Sequence, residues 1–124
     1  MLLFLDVISP IPEFFIIEDN KVIFNEKIIT KETDKLSDYI FEKYIVINRD
    51  FNLTHNLKNI TMTTGPGSYT SLRVGAAFLA GLRISKNLKF CPISIPDIIS
   101  FKIDKNNIKN IVFYISSSQN QNFL

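Results

Sequence analysis

Between Val74 and Leu82 the chain runs nine residues without a polar side chain, two of them glycine and three alanine. A helix over that stretch makes about two and a half turns, so its apolar surface reaches every side. One side can lie on the sheet of its own domain. In so small a domain the other side meets water unless something covers it. Each glycine inside a helix costs roughly 0.5–1 kcal/mol relative to alanine. Two of them, Gly75 and Gly81, predict a backbone that must approach another closely.

The helix is fed by Thr64-Gly65-Pro66-Gly67-Ser68-Tyr69-Thr70-Ser71. Two glycines around a proline give a tight turn with positive φ available at both glycines. Ser68, Thr70 and Ser71 can each cap the helix. Free N–H groups at a helix start attract anions, so a phosphate cradle is one reading of the turn and a purely structural bend is the other. The turn is not a P-loop, because no Gly-Lys-Ser/Thr closes it. It is not the dinucleotide fingerprint, because Thr70 stands at the third glycine, and it is not a Gly-x-Ser-x-Gly elbow.

Upstream, Leu2 to Val7 reads as a strand, and Ser9-Pro10-Ile11-Pro12 as a turn. Glu13 to Glu18 and Lys21 to Ile29 read as two more strands around Asp19-Asn20, completing an antiparallel meander. Thr33 or Asp34 can cap a helix in which Leu36, Ile40, Tyr44 and Ile47 form one apolar stripe. Tyr39, Phe41, Ile45 and Val46 fall outside that stripe, a surplus of apolar surface. Arg49 to Lys58 reads as a polar loop. Ile60 to Thr63 is a short strand, and the second helix spans about Thr70 to Asn87. Lys89 to Ser94 is a strand, and Pro96-Asp97 opens a short helix through Phe101. Lys102 to Asn110 reads as a linker and Ile111 to Ile115 as a last strand. Such an order implies a mixed α/β sheet with helices packed on it. Two helices with spare apolar surface predict pairing with two helices of a neighbour.

Composition narrows the function. The chain has 124 residues, 46% hydrophobic and 21% charged, enough for a small core. A net charge of +2 with scattered lysines gives no basic groove for nucleic acid. The single cysteine, Cys91, and the single histidine, His55, offer neither an internal disulfide nor a thiolate metal cluster. Cys91 reads as a buried small hydrophobe and His55 as a loop residue. The apolar start, Met1 to Leu5, stops at Asp6 and is too short for a secretory signal. No run is long enough for a membrane span, so a cytoplasmic protein is expected. Paired carboxylates and a nucleophile beside a base are both absent, which disfavours a peptidase or a small phosphotransferase.

The block Gly65-Pro66-Gly67-Ser68-Tyr69-Thr70-Ser71-Leu72-Arg73-Val74-Gly75-Ala76-Ala77, followed by Ala80-Gly81-Leu82, resembles the glycine-rich block of the TsaB (YeaZ) proteins. The first strand carrying Asp6, the meander, the helix before the block and Pro92-Ile93-Ser94-Ile95 after it agree with that resemblance, which covers roughly residues 1–118. The resemblance implies an actin-like (ASKHA, ribonuclease H-like) N-terminal lobe over residues 1–110. Residues 111–124 would be a remnant or the start of a second lobe.

It also implies a non-catalytic dimerisation subunit, without metal or cofactor of its own. The subunit would serve a TsaD-like catalytic partner and a TsaE-like ATPase that make N6-threonylcarbamoyladenosine at position 37 of tRNA. ATP and metal would sit on the partners, and tRNA would be met only through the complex. A self-dimerising diverged paralogue and a glycoprotease-like peptidase are the alternatives. The implied interface comprises Leu36, Ile40, Tyr44, Leu72, Arg73, Gly75, Ala76, Leu79 and Ala80. The implied anion or nucleotide turn comprises Asp6, Gly65, Gly67, Ser68 and Thr70. Family members usually read Asp-Thr-Ser near the end of the first strand, whereas Asp6 is followed here by Val7-Ile8-Ser9, and Ser71 stands where the family has glycine. The family is also roughly twice as long, and one lobe alone cannot close around a nucleotide, so weak or absent ATP binding is expected.

Overall fold

A computed structural model describes residues 1–97, together with two short strands at 115–116 and 122–123. Its strands are β1 (Leu2–Asp6), β2 (Glu13–Glu18), β3 (Lys21–Lys27), β4 (Asn59–Met62) and β5 (Lys89–Phe90), and its helices are α1 (Leu36–Phe51), α2 (Leu53–Asn56) and α3 (Tyr69–Ser85). The later strands β6 (Ile115–Ser116) and β7 (Asn122–Phe123) pair antiparallel in a separate two-stranded sheet. The expected linker and most of the expected last strand lie outside the described residues, as does the proposed 110/111 domain boundary.

The main sheet has the order β3-β2-β1-β4-β5. β1, β2 and β3 form the expected antiparallel meander, and β4 and β5 run parallel to β1 and to each other. Asp19 and Asn20 turn β2 into β3 with φ of 51° and 62°, the left-handed pair that a two-residue hairpin needs. β1 is apolar at nearly every position, yet it alternates in burial: Leu3 and Leu5 are fully buried, and Leu2 and Phe4 are half-buried.

α1 and α3 pack on the Leu3/Leu5 face. The stripe Leu36, Ile40, Tyr44 and Ile47 is buried there as the spacing predicts. Phe14 of β2, Tyr44 of α1 and Phe78 of α3 form one aromatic cluster, with ring centroids 5.3–6.5 Å apart. α3 seats more tightly still. A Cβ at Gly75 would lie 2.8 Å from Met62 Sδ and 2.9 Å from Val7 Cγ1. A Cβ at Gly81 would meet nothing within 4 Å. Of the two glycines expected to permit close approach, Gly75 does so, and against the chain's own sheet. Gly81 lies open on the outer side.

The structure corrects several expectations. Arg49 to Lys58 is largely helical: α1 continues to Phe51, Asn52 turns at φ 50°, and α2 follows, because fully buried Leu53 anchors the segment. His55 therefore lies on α2 rather than in a loop. α1 begins after Lys35 without a side-chain cap. Asp34 instead closes the turn before it, accepting from the Thr30 and Lys31 amides at 3.3 and 3.1 Å. Cys91 is exposed, because strand alternation turns it to the side of the sheet away from the helices.

A helical turn begins at residue 95, one before the expected Pro96, and its expected continuation to Phe101 lies outside the described residues. The Ser94 hydroxyl and amide donate to Asp97 Oδ2 at 2.6 and 3.2 Å, and the Asp97 amide donates back to Ser94 Oγ. Those two Ser94 bonds hold the Asp97 carboxyl below its usual range.

Two tests follow. Gly75→Ala should lower the urea stability by about 1–3 kcal/mol through overpacking, whereas Gly81→Ala should raise it by about 0.5–1 kcal/mol through helix propensity. The Asp97 carboxyl has a folded pKa below its unfolded value of about 3.9, so its contribution is present above that value and lost as pH falls through the folded one. Carboxyl-detected NMR titration should place its midpoint below the unfolded value, and Ser94→Ala should move it up.

Candidate functional site

The Gly-Pro-Gly turn lies at the C-terminal ends of β1 and β4, the edge where α/β sheets commonly hold ligands. Gly65 adopts φ 110°, a conformation that favours glycine, and its carbonyl accepts from the Ile95 amide at 3.0 Å. A Cβ at Gly67 would stand 3.1 Å from two carbons of Ile8. Ser68 is the N-cap of α3, its hydroxyl accepting from the Ser71 amide at 3.3 Å. Thr70 is exposed in the first turn of α3, which begins at Tyr69, one residue before the expected start.

Asp6 faces this turn, but its oxygens are already engaged. Oδ1 accepts from the Ile8 amide at 3.0 Å, the Ser9 amide at 3.3 Å and the Thr63 hydroxyl at 3.3 Å. Oδ2 accepts from the Ser9 hydroxyl at 2.5 Å. Thr63 Oγ1 in turn accepts from the Val7 amide at 3.2 Å. Asp6 thus closes the bend leading to Pro10 and ties the ends of β1 and β4 together. Thr63 and Ile8, which the motif did not single out, are what hold Asp6 and Gly67 in place. Ser9 supplies two of the four bonds, so Val7-Ile8-Ser9 forms a bend wrapped around the Asp6 carboxylate.

The residues implied for pairing separate into two sets. Leu36, Ile40, Tyr44, Gly75 and Leu79 are buried inside the domain, and Leu72 is half-buried against the same core. They are corrected here from interface to core, because the sheet takes the stripes with the strongest periodicity. An arginine at Gly75 would strike Met62 and Val7 rather than a neighbour. Arg73, Ala76 and Ala80 face outward, and Arg73 lies over the Tyr69 ring with its guanidinium carbon 5.5 Å from the centroid.

The outward surface is nonetheless apolar. Phe41 is 63% exposed and Ile45 50% exposed on α1, and Ile84 is 89% exposed on α3. The Tyr44–Phe78 contact sets which flanks of the two helices adjoin. Helical spacing then puts Phe41 and Ile45 on one bank of the seam, with Ala77, Gly81 and Ile84 on the other.

Among the described residues, no three His, Cys, Asp or Glu side chains gather into a group able to hold a metal. His55 on α2 and Cys91 beyond β5 belong to no such group. No helix of the described residues is long and apolar enough to cross a membrane.

Residues 46–123 match the family described as TsaD: tRNA N6-adenosine threonylcarbamoyltransferase. That span is more than half of the chain. The chain belongs to this family.

Its fold is that of YeaZ from Pseudomonas aeruginosa, with a TM-score of 0.65 over 86% of this chain at 14% sequence identity. A second structure, of a protein described as similar to peptidase YeaZ from Pseudomonas aeruginosa, superposes with a TM-score of 0.66 over 84% of this chain, again at 14% identity. The chain spans about half the length of each, 49% and 47%. No curated protein matches the chain. The mixed five-stranded sheet with both helices on one face is the actin-like lobe that the sequence implied. In this TsaD-family chain the Gly65–Ser68 turn joins β4 to α3.

Asp6→Ala should therefore behave as a turn mutant. It leaves the Ile8 and Ser9 amides and two hydroxyls without their acceptor, and a loss of about 1–3 kcal/mol is expected. Urea unfolding measures it. An unchanged midpoint would show that the carboxylate is not holding the bend.

Proposed function

We propose that this chain is a non-catalytic pairing subunit of the machinery that places a threonylcarbamoyl group on N6 of adenosine 37 in tRNA. It docks through the outward side of α1 and α3 onto a TsaD-like catalytic subunit, in concert with a TsaE-like ATPase. ATP and metal belong to those partners, tRNA is met through the complex, and the work is done in the cytoplasm. Membership of the TsaD family supports the pathway.

The observation that carries the pairing role is the apolar strip along the α1–α3 seam, with Phe41 and Ile45 exposed on one side and Ala77 and Gly81 on the other. Small residues on α3 leave room for a second helix to approach closely, and the large side chains of α1 supply the apolar area. Four helices packed in this way, two from each subunit, bury a core of the kind found in helical bundles. The engagement of both Asp6 oxygens by Ile8, Ser9 and Thr63 supports the reading that the glycine turn is structural here.

Size-exclusion chromatography with light scattering, on the chain mixed with the TsaD-like protein of the same organism, tests this. A one-to-one complex is expected. Gly81→Arg should abolish it while leaving the circular dichroism of the free chain unchanged, because space at Gly81 is open. A chain that ignores the TsaD-like protein and forms only its own dimer would favour the self-pairing paralogue instead.

A further inference from the structure

The acidic residues are unevenly placed. From Phe51 to Pro96 the chain has no Asp or Glu, yet that stretch holds Lys58, Arg73, Arg83, Lys86 and Lys89. These five cations leave −3 for the rest of a chain whose formal net charge is +2. They look scattered in sequence, but the fold brings four of them to one corner. β4 and β5 run parallel, with Asn59 beside Lys89. The Lys89 amide donates to the Lys58 carbonyl at 3.1 Å, so both lysines stand where neighbouring strands begin. α3 ends at Ser85, directly before Lys86. Lys86 Nζ donates to the Leu53 carbonyl of α2 at 3.0 Å, which brings exposed His55 to the same corner. Arg83 lies over the Phe90 ring of β5, its guanidinium carbon 6.0 Å from the centroid.

Among the described residues nothing neutralises this corner. The ion pairs there are Lys43 with Glu26 and Arg49 with Asp50, so Lys58, Arg83, Lys86 and Lys89 are in none. Glu18 and Asp19 lie at the same end of the sheet, on the β2–β3 hairpin, but β1 stands between them and β4. Two strand spacings of about 4.8 Å come to roughly one Debye length at 0.1 M salt.

We propose that this corner contacts the phosphate backbone of an RNA. The exposed polar side chains beside the cations include the amides of Asn59 and Asn87. Lysine, arginine and asparagine are side chains that hydrogen-bond phosphate and sugar without reading sequence. A protein-binding patch centres instead on apolar and aromatic anchors, with charge at its rim. Phe41 and Ile45 give the α1–α3 side that character. That the RNA is tRNA rests on the pathway proposed above; the phosphate contact does not.

Fluorescence anisotropy of labelled tRNA, titrated with the full chain between about 50 and 200 mM salt, tests this. Four phosphate contacts predict a slope of log K against log salt of about −3. The double variant Lys58→Gln, Lys89→Gln should make that slope shallower by about 2. Lys86 is left in place because its ammonium also ties α2 to the chain. Lys27→Gln with Lys31→Gln removes the same charge near the opposite end of the sheet, where Lys27 pairs with Glu13 and Glu13 with Asp6. That variant should keep the slope. Equal slopes for the two double variants, or no binding at 50 mM salt, would overturn the proposal. So would tighter binding of polyglutamate than of tRNA, which would make an acidic protein segment the occupant. The assay needs no TsaD-like protein. A chain that fails to pair with that subunit yet shows the predicted slopes loses the pairing role and keeps this contact, and a chain that pairs without them does the reverse.

Discussion

The seat of α3 on the sheet sets much of the rest. With no Cβ at Gly75, the helix backbone comes down onto Met62 and Val7 so closely that one added carbon would lie within 3 Å of both. That approach brings Phe78 against Phe14 and Tyr44, and so places α1 alongside α3. It also fixes the angle at which the chain leaves β4, which the Gly65–Ser68 turn must satisfy. Asp6, Thr63 and the Ile95 amide then hold the turn from both sides. The Gly65–Ser68 turn is a mechanical fitting between a strand and a helix.

Once α3 is seated, the apolar residues of both helices divide into an inner and an outer set. The inner set makes the core. The outer set, Phe41 and Ile45 with Ala77, Gly81 and Ile84, is more than the domain itself consumes. The sheet behaves similarly, with Leu3 and Leu5 under the helices and Phe4 and Phe15 on the reverse.

Much of this fold was legible in the sequence. The meander followed from Asp19-Asn20 between apolar runs, the α1 core stripe from Leu36, Ile40, Tyr44 and Ile47, and the actin-like lobe from the glycine block. What the sequence hid has physical causes. The polar stretch from Arg49 onward looks like a loop because, among its polar residues, only Leu53 and Leu57 are buried, too short a pattern to show a period. Asp34 precedes a helix and so looks like its cap, but its oxygen reaches back to Thr30 and Lys31. Gly75 and Gly81 are alike in sequence, yet one touches the sheet and the other faces outward, because six residues rotate a helix by about two thirds of a turn beyond one full circle. For the same reason the pairing surface could be anticipated as a property of the two helices while six of its nine named residues belonged to the core.

The most direct measurement of the central claim is hydrogen–deuterium exchange of the chain with and without the TsaD-like subunit, read peptide by peptide. Slowed exchange confined to α1 and α3, with the strands β1 to β3 unchanged, is the predicted result. Protection centred on Gly65 to Ser68 and the Asp6 bend, with the helices unaffected, would contradict it and restore the turn as the contact site.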